Sequence, residues 1–221
     1  MGDDPTAGNP GAAEAASASS ARERGGAKAP RTRRGEATRA RILDAARVEF
    51  GQTGFSDSSI VAITKRARVA LGTFYTYFDS KEEVFAALVA DMSQRVADAV
   101  APAIRDVDDG LDREEAALGA FLRFATEHAE VYRIIDEAEF ADPKGFERHY
   151  RGTAARIRER LDGADGVAPT DDELEQEVRA WALMGMYVFL GLRFSVWDRQ
   201  NPERIAALAK RLLGQGLKRG G

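Results

Sequence analysis

The sequence has no cysteine, only two histidines, and no apolar run that approaches the ~18 residues a membrane span needs. Without cysteine there can be neither a disulfide framework nor a thiolate metal site, a composition that suits the cytoplasm. His128 and His149 fall on different expected helices, so no metal-ligand spacing arises from them and no metal is expected. Also missing are a GxSxG elbow, a P-loop, an HExxH helix and any nucleophilic thiol. These absences leave no catalytic residue and no cofactor to assign, and enzymatic activity is the losing class. Asp136, Glu137 and Glu139 are adjacent, but on a helix they spread around it and read as a solvated face. The Ala-, Gly- and Ser-rich start of the chain lacks the apolar core of a signal peptide.

What is present is a charge asymmetry within 221 residues, enough chain for one or two domains with a sizeable core. The overall formal charge is −4. Residues 22 to 81 hold 13 Lys and Arg against 6 Asp and Glu, whereas residues 82 to 221 hold 19 against 27. A basic end on an acidic body is the footprint of a nucleic-acid-binding head joined to a body with other work. Residues 1–34 have almost no large apolar side chain and are expected to form a disordered basic tail, either a solubilising extension or an arm; the cluster Arg31, Arg33, Arg34, Arg39 and Arg41, where the tail meets the first helix, could lie along phosphates or enter a minor groove.

Ile42, Ala46 and Phe50 repeat at helical spacing, predicting a first helix over about 36–51 that Gly51 and Gly54 end. Asp57 or Ser58 then caps a second helix in which Ile60, Ile63 and Ala67 share a face. After a break at Arg68 and Val69 comes a third short helix, closing on Phe74, Tyr75, Tyr77 and Phe78. Ser59 to Phe78 is therefore a helix-turn-helix, whose second helix suits the major groove of DNA. Ser80-Lys-Glu-Glu83 is a capping box opening a long helix, with Val84, Phe85, Leu88, Val89, Met92, Val96 and Val100 on its stripe and Pro102 at its end. Asp142-Pro143 and Thr170-Asp-Asp-Glu173 open later helices, and Asn201-Pro202 the last. The prediction is all-α: nine to ten helices, a three-helix head and a helical-bundle body.

The run RVALGTFYTYFDSKEEVF carries Val69, Gly72, Thr73, Tyr75, Tyr77, Phe78, Ser80, Lys81 and Glu82, and with RARILDAARVEFGQTGF upstream it resembles the TetR family of transcriptional regulators. The resemblance covers about residues 36–92, the family's domain reaching to about 96. Arg68 departs from it, standing where the family usually has Gly, and so does Ala70, where Ser is common. It implies a DNA-binding domain at 35–81 and an effector-binding and dimerisation domain at 82–221. It also implies that Tyr75, Tyr77 and Lys81 contact phosphates while Ala70, Leu71, Gly72 and Thr73 face the bases; Ser58, Arg68 and Arg39 complete the expected DNA set.

The body is rich in aromatics, which either pack a core or line a pocket. The resemblance favours a pocket for a small organic effector, with Phe121, Phe124, Tyr150, Trp181, Met184 and His149 as candidates and Arg123 and Arg133 as further polar groups. VYRIIDEAEFADPKGFERHY and GMYVFLGLRFSVW are similar to TetR-type regulators of fatty-acid or aromatic-acid catabolism, whose effectors are acyl-CoA thioesters. Arg148, Arg151, Arg156, Arg158 and Arg160 could then form a basic rim, or equally be paired with acidic neighbours. The stretches 170–197 and 202–217 are apolar on more than one face, and Gly185 and Gly191 permit close approach of another helix. The resemblance puts the dimer there, through Gly185, Val188, Leu192, Leu208 and Leu212. The expected protein is a homodimeric repressor released from a palindromic operator by its effector, with double-stranded DNA, itself and the effector as partners and no membrane. The alternatives are an activator, or a constitutive architectural binder without effector.

Overall fold

The computed structural model describes residues 32–215 apart from 163 and 166. These form nine α-helices and no sheet: α1 (Arg33–Asp57), α2 (Ile60–Ala67), α3 (Leu71–Tyr77), α4 (Lys81–Ile104), α5 (Gly110–Glu127), α6 (Glu130–Ala141), α7 (Pro143–Leu161), α8 (Glu173–Leu190) and α9 (Pro202–Gln215). One isolated bridge pairs Asp109 with Asp165. The all-α expectation holds, whereas the tail up to residue 31 and the end of the last helix at Leu217 lie outside the described residues.

Local chemistry sets most helix ends. Ser80 Oγ accepts from Glu83 N at 3.1 Å, and Asp142 Oδ1 from Gly145 N at 3.0 Å, as the two motifs predict. Elsewhere the caps differ. Ser59, not Asp57 or Ser58, caps α2 through Ala62 N at 3.1 Å, while buried Ser58 donates to Phe55 O. Asp172, not Thr170, caps α8 by accepting from Leu174 N at 2.9 Å. Gly51 stays helical, and the backbone leaves the helix only at Gly54, φ 84°. Pro102 lies inside α4, which runs two residues further, because in the last turn its missing N–H removes a single ladder bond.

Packing follows the apolar stripes. Phe50, Phe74, Phe78, Phe85, Ile42, Ile63 and Leu88 are fully buried where α1–α4 meet. Each such side chain contributes about 1.5–3 kcal/mol by leaving water. The same core continues through Met92 into Val131, Ile134, Ile135 and Ala138 of α6 and Phe124 of α5. A boundary at 81/82 therefore does not separate two cores. Further clusters join α5 with α9 and α7 with α8.

The run from Glu173 to Trp197 corrects the expectation about long apolar stretches. Among the described residues it is the one helix long and apolar enough to cross a membrane, with 33% of its most apolar window buried. Arg179 and Arg193 bound the uninterrupted apolar stretch at 180–192, so a search for continuous apolar residues finds less than a full span. Its last seven residues, Gly191–Trp197, form a π-helical turn, with Asp198 N bonding Arg193 O at 3.2 Å in the i→i+5 pattern. Tyr132 presses against this turn, donating to Val188 O at 3.0 Å; a Cβ at Gly191 would meet its hydroxyl and Phe121. The closeness that Gly191 permits is thus internal.

Candidate functional site

The surface of the head is built by the turn between α2 and α3. Arg68 stands in the left-handed region at φ 54°, ψ 47°, its N–H bonding Lys65 O. Phe74 and Phe78 are buried and hold α3 on the core, which turns Ala70, Leu71, Gly72, Tyr75 and Thr76 outward, with Thr73 and Tyr77 half-buried. Leu71 is 46% exposed and Tyr75 45%. A Cβ at Gly72 would meet nothing within 4 Å, so another molecule can approach the backbone there. Lys65, Arg66 and Arg68 are exposed beside this face, and Arg33, Arg34 and Arg41 line α1.

Two expected contact residues are placed differently. Lys81 Nζ donates to the carbonyls of Phe55, Ser56 and Ser58 at 2.7, 3.2 and 3.1 Å and lies 4.5 Å from the Phe55 ring centroid. An ammonium has three protons, so Lys81 ties the α1–α2 connection to α4 and is not available to phosphates. Ser58 is buried and turned toward Phe55. Arg39 lies with its guanidinium 5.4 Å over the ring of Phe78.

A joint that the sequence did not announce holds α1 against α6. Glu137 Oε2 accepts from Phe55 N at 2.6 Å, and Arg133 Nη1 donates to Gln52 O at 3.0 Å. Arg133 and Glu137 pair at 3.1 Å, and Arg47 pairs with Glu130. Arg133 is therefore no pocket group, and Glu137 no free solvated carboxylate. Arg123 is likewise outside, exposed and paired with Glu203 at 2.7 Å.

The other face of α6 looks into a cavity of about 460 Å³ between α4, α5, α6, α7 and α8. Of the expected pocket residues, Phe121, His149, Tyr150 and Met184 line it. Phe124 does not: it belongs to the head-side core and packs on His128 at 4.6 Å. Neither does Trp181, which is 42% exposed. Val188, expected at the dimer face, lines the cavity instead. His149 Nδ1 lies 2.6 Å from Ser93 Oγ, and burial, with Arg156 nearby, lowers the imidazole pKa to about 4. One wall is fixed by a buried ionic group: Glu114 meets Arg160 at 2.8 and 3.1 Å, while Tyr187 Oη donates to Glu114 O at 2.9 Å. Among the described residues no three His, Asp or Glu side chains converge as a metal site.

On the far side of α8 and α9 the surface is apolar. Leu174, Val178, Trp181, Phe189 and Trp197 are exposed, as are Leu208, Leu212 and Leu213. Gly185 lies in that stripe with nothing within 4 Å of a Cβ position. Leu192 is half-buried.

A helix-turn-helix displayed on a three-helix head, carried by a helical body with a cavity, defines a DNA-binding regulator. Residues 42–88 match the model of the bacterial regulatory proteins of the tetR family. The head is therefore a DNA-binding domain of the TetR type, and the curated relatives that match most of the chain are transcriptional regulators rather than enzymes. It is 29% identical to the uncharacterized HTH-type transcriptional regulator YdgC of Bacillus subtilis, over 83% of this chain and 94% of that one. It is 28% identical to the HTH-type transcriptional repressor SCO4008 of Streptomyces coelicolor, over 62% of this chain and 69% of that one. Its fold is similar to that of the regulator FadR from Bacillus subtilis, solved in complex with stearoyl-CoA, at a TM-score of 0.70 and 16% identity, covering 81% and 99% of the two chains.

Proposed function

We propose that the protein is a homodimeric repressor that leaves a palindromic operator when a small organic effector fills the body cavity. The carrying observation is that α4 and α6 both wall the cavity and pack into the core of the head. A ligand there touches elements whose position sets the spacing of two recognition helices, which must match a groove repeat of about 34–36 Å. Residues 35–81 serve DNA and residues from 82 serve effector and dimer, a division of labour rather than of cores. Transcription control of this kind belongs in the cytoplasm. The exposed stripe of α8 and α9 fits a second copy of the chain, in a four-helix arrangement about a two-fold axis, rather than a lipid surface.

On the head, Ala70, Leu71, Gly72 and Thr73 face the bases, and Tyr75, Tyr77 and Arg68 the phosphates. Ala70 and Leu71 have no side-chain donor, so readout there runs through thymine methyls or DNA shape. Tyr75→Phe is expected to weaken binding to all sequences alike, and Leu71→Lys to change which sequence is preferred; unaltered affinity and preference in both would remove α3 from the groove.

Repression agrees with the name of SCO4008, and an acyl-CoA effector would agree with the stearoyl-CoA bound by FadR. Native mass spectrometry of protein purified from its own host identifies any retained ligand, and a gel-shift titration with that ligand tests release. An operator complex indifferent to the retained ligand would leave a constitutive binder, and one that tightens while transcription rises would make the protein an activator.

A further inference from the structure

The cavity is polar in the sense of a compass needle: its two ends differ in charge. His149, Tyr150, Thr153, Arg156, Ile157 and Arg160 succeed one another along its α7 wall. Seven residues separate His149 from Arg156, about 10 Å along the helix axis. At the first end the imidazole is neutral near pH 7 and the charged group is Asp136, whose carboxyl burial holds above the usual carboxylate range. That end offers no cation. At the other end stand Arg105, Arg113, Arg156 and Arg160, with Glu159 as the single carboxylate in the lining there.

These arginines are not equivalent. Arg160 is neutralised by Glu114 at 2.8 and 3.1 Å, and Arg113 donates to Val107 O at 2.8 Å and Asp108 O at 3.4 Å. Arg156 is half-buried, and its guanidinium donates to the neutral hydroxyl of Thr153 at 3.1 Å. Burial and the like charge of Arg160 outweigh the attraction of Glu159 and hold its pKa below the usual arginine range. A partly desolvated cation facing an apolar chamber is unfavourable until an anion joins it, and a charge-assisted bond then forms at full strength.

Building on the effector reading, the geometry points to a small amphipathic monocarboxylate as the ligand: its carboxylate is held by Arg156, with Arg105 at the rim, and its apolar chain runs past Val100, Ile157 and Phe121. Glu159 beside the anion site disfavours a second negative group. The rim that a coenzyme A ester would require is occupied otherwise, since Arg148 pairs with Asp142 at 3.7 Å and Arg151 with Glu147 at 2.7 Å. Arg156, with Arg105 at the rim, suffices for one carboxylate but leaves a polyanion of several phosphates short of cations.

The test is calorimetric titration of the full chain with octanoate, octanamide and octanoyl-coenzyme A, on the natural protein and on Arg156→Gln and Arg156→Lys. Octanoate is expected to bind at least about tenfold more tightly than the amide, the weight of one charge-assisted hydrogen bond. Arg156→Gln should abolish that preference, with octanoate losing more affinity than octanamide, and Arg156→Lys should retain part of it. An unaltered circular dichroism spectrum and measurable octanamide binding in Arg156→Gln show that the cavity is intact. The proposal is overturned if the amide equals the acid, if the coenzyme A ester outbinds both, if the preference survives Arg156→Gln, or if none of the three binds. The wider reading fails separately, when the ligand retained by the purified protein leaves the operator complex unaltered.

Discussion

At the scale of the residue, Arg68 stores strain in the turn of the DNA-reading motif. A non-glycine side chain at φ 54° is disfavoured by up to about 1 kcal/mol relative to glycine, after allowance for the freedom glycine adds to the unfolded chain. Arg68→Gly is therefore expected to raise the melting temperature slightly and, where its guanidinium meets a phosphate as proposed, to lower operator affinity. A lower melting temperature would contradict the left-handed turn. His149 carries a second prediction. Its pKa is about 4 in the folded chain against 6.5 for an ordinary imidazole, so the unfolded chain binds the extra proton first. The stability this confers is complete above pH 6.5 and is lost as the pH falls toward 4. Across that window the loss approaches about 1.4 kcal/mol for every pH unit. Urea denaturation between pH 7.5 and 4.5 should show a slope for the natural protein that His149→Gln, which keeps a polar group beside Ser93, largely removes. Part of this was legible in the sequence: the departure at Arg68 already marks an unusual turn. Lys81 was not, because spacing along a chain places it near the DNA face but cannot tell which carbonyls of the α1–α2 connection will surround its ammonium.

At the scale of the element, a helix with apolar residues on two sides leaves its inside and outside ambiguous. That ambiguity misplaced Val188, which faces the cavity while Phe189 faces out at 70% exposure. Phe121 and Phe124 were ambiguous for the same reason: three positions apart on α5, they belong to different clusters. Caps were easier, since Ser80 and Asp142 need only neighbours three residues away. The dimer face is tested on the outward set. Phe189→Asp and Val178→Asp are each expected to give monomers in sedimentation, because a charge placed in a desolvated apolar contact has no partner. A dimer that survives both would move the interface away from α8. The α6 joint was illegible, since Glu137 and Arg133 look like an ordinary solvated i,i+4 pair until the end of α1 is folded against them.

At the scale of the whole molecule, the proposed function makes the effector and the operator two ligands of one equilibrium. If the effector favours a conformation that DNA does not, then DNA must weaken effector binding by the same factor that the effector weakens DNA binding. A coupling of 1–3 kcal/mol, or roughly 5- to 150-fold, is the usual range. Titrating the effector with and without operator should return equal factors in both directions, and identical affinities in the two titrations would end the ligand-released reading. The all-helical outline was legible because period-3.6 stripes recur from Ile42 to Leu212, but the connection between head and body was not, being made by residues some 80 positions apart.

The core that passes without interruption from α3 through Met92 to α6 also decides how the protein can be taken apart. Chimeric regulators are made by grafting one DNA-reading head onto another sensor. A graft spliced here between Ser80 and Glu82 would strand Val84, Phe85, Leu88 and Val89, all buried against the head, on a foreign body. It would also break the contacts of Glu137 with Phe55 and of Arg133 with Gln52. A head that is to travel must take the first three turns of α4 with it and meet an acceptor whose α6 counterpart offers an acid for Phe55 N.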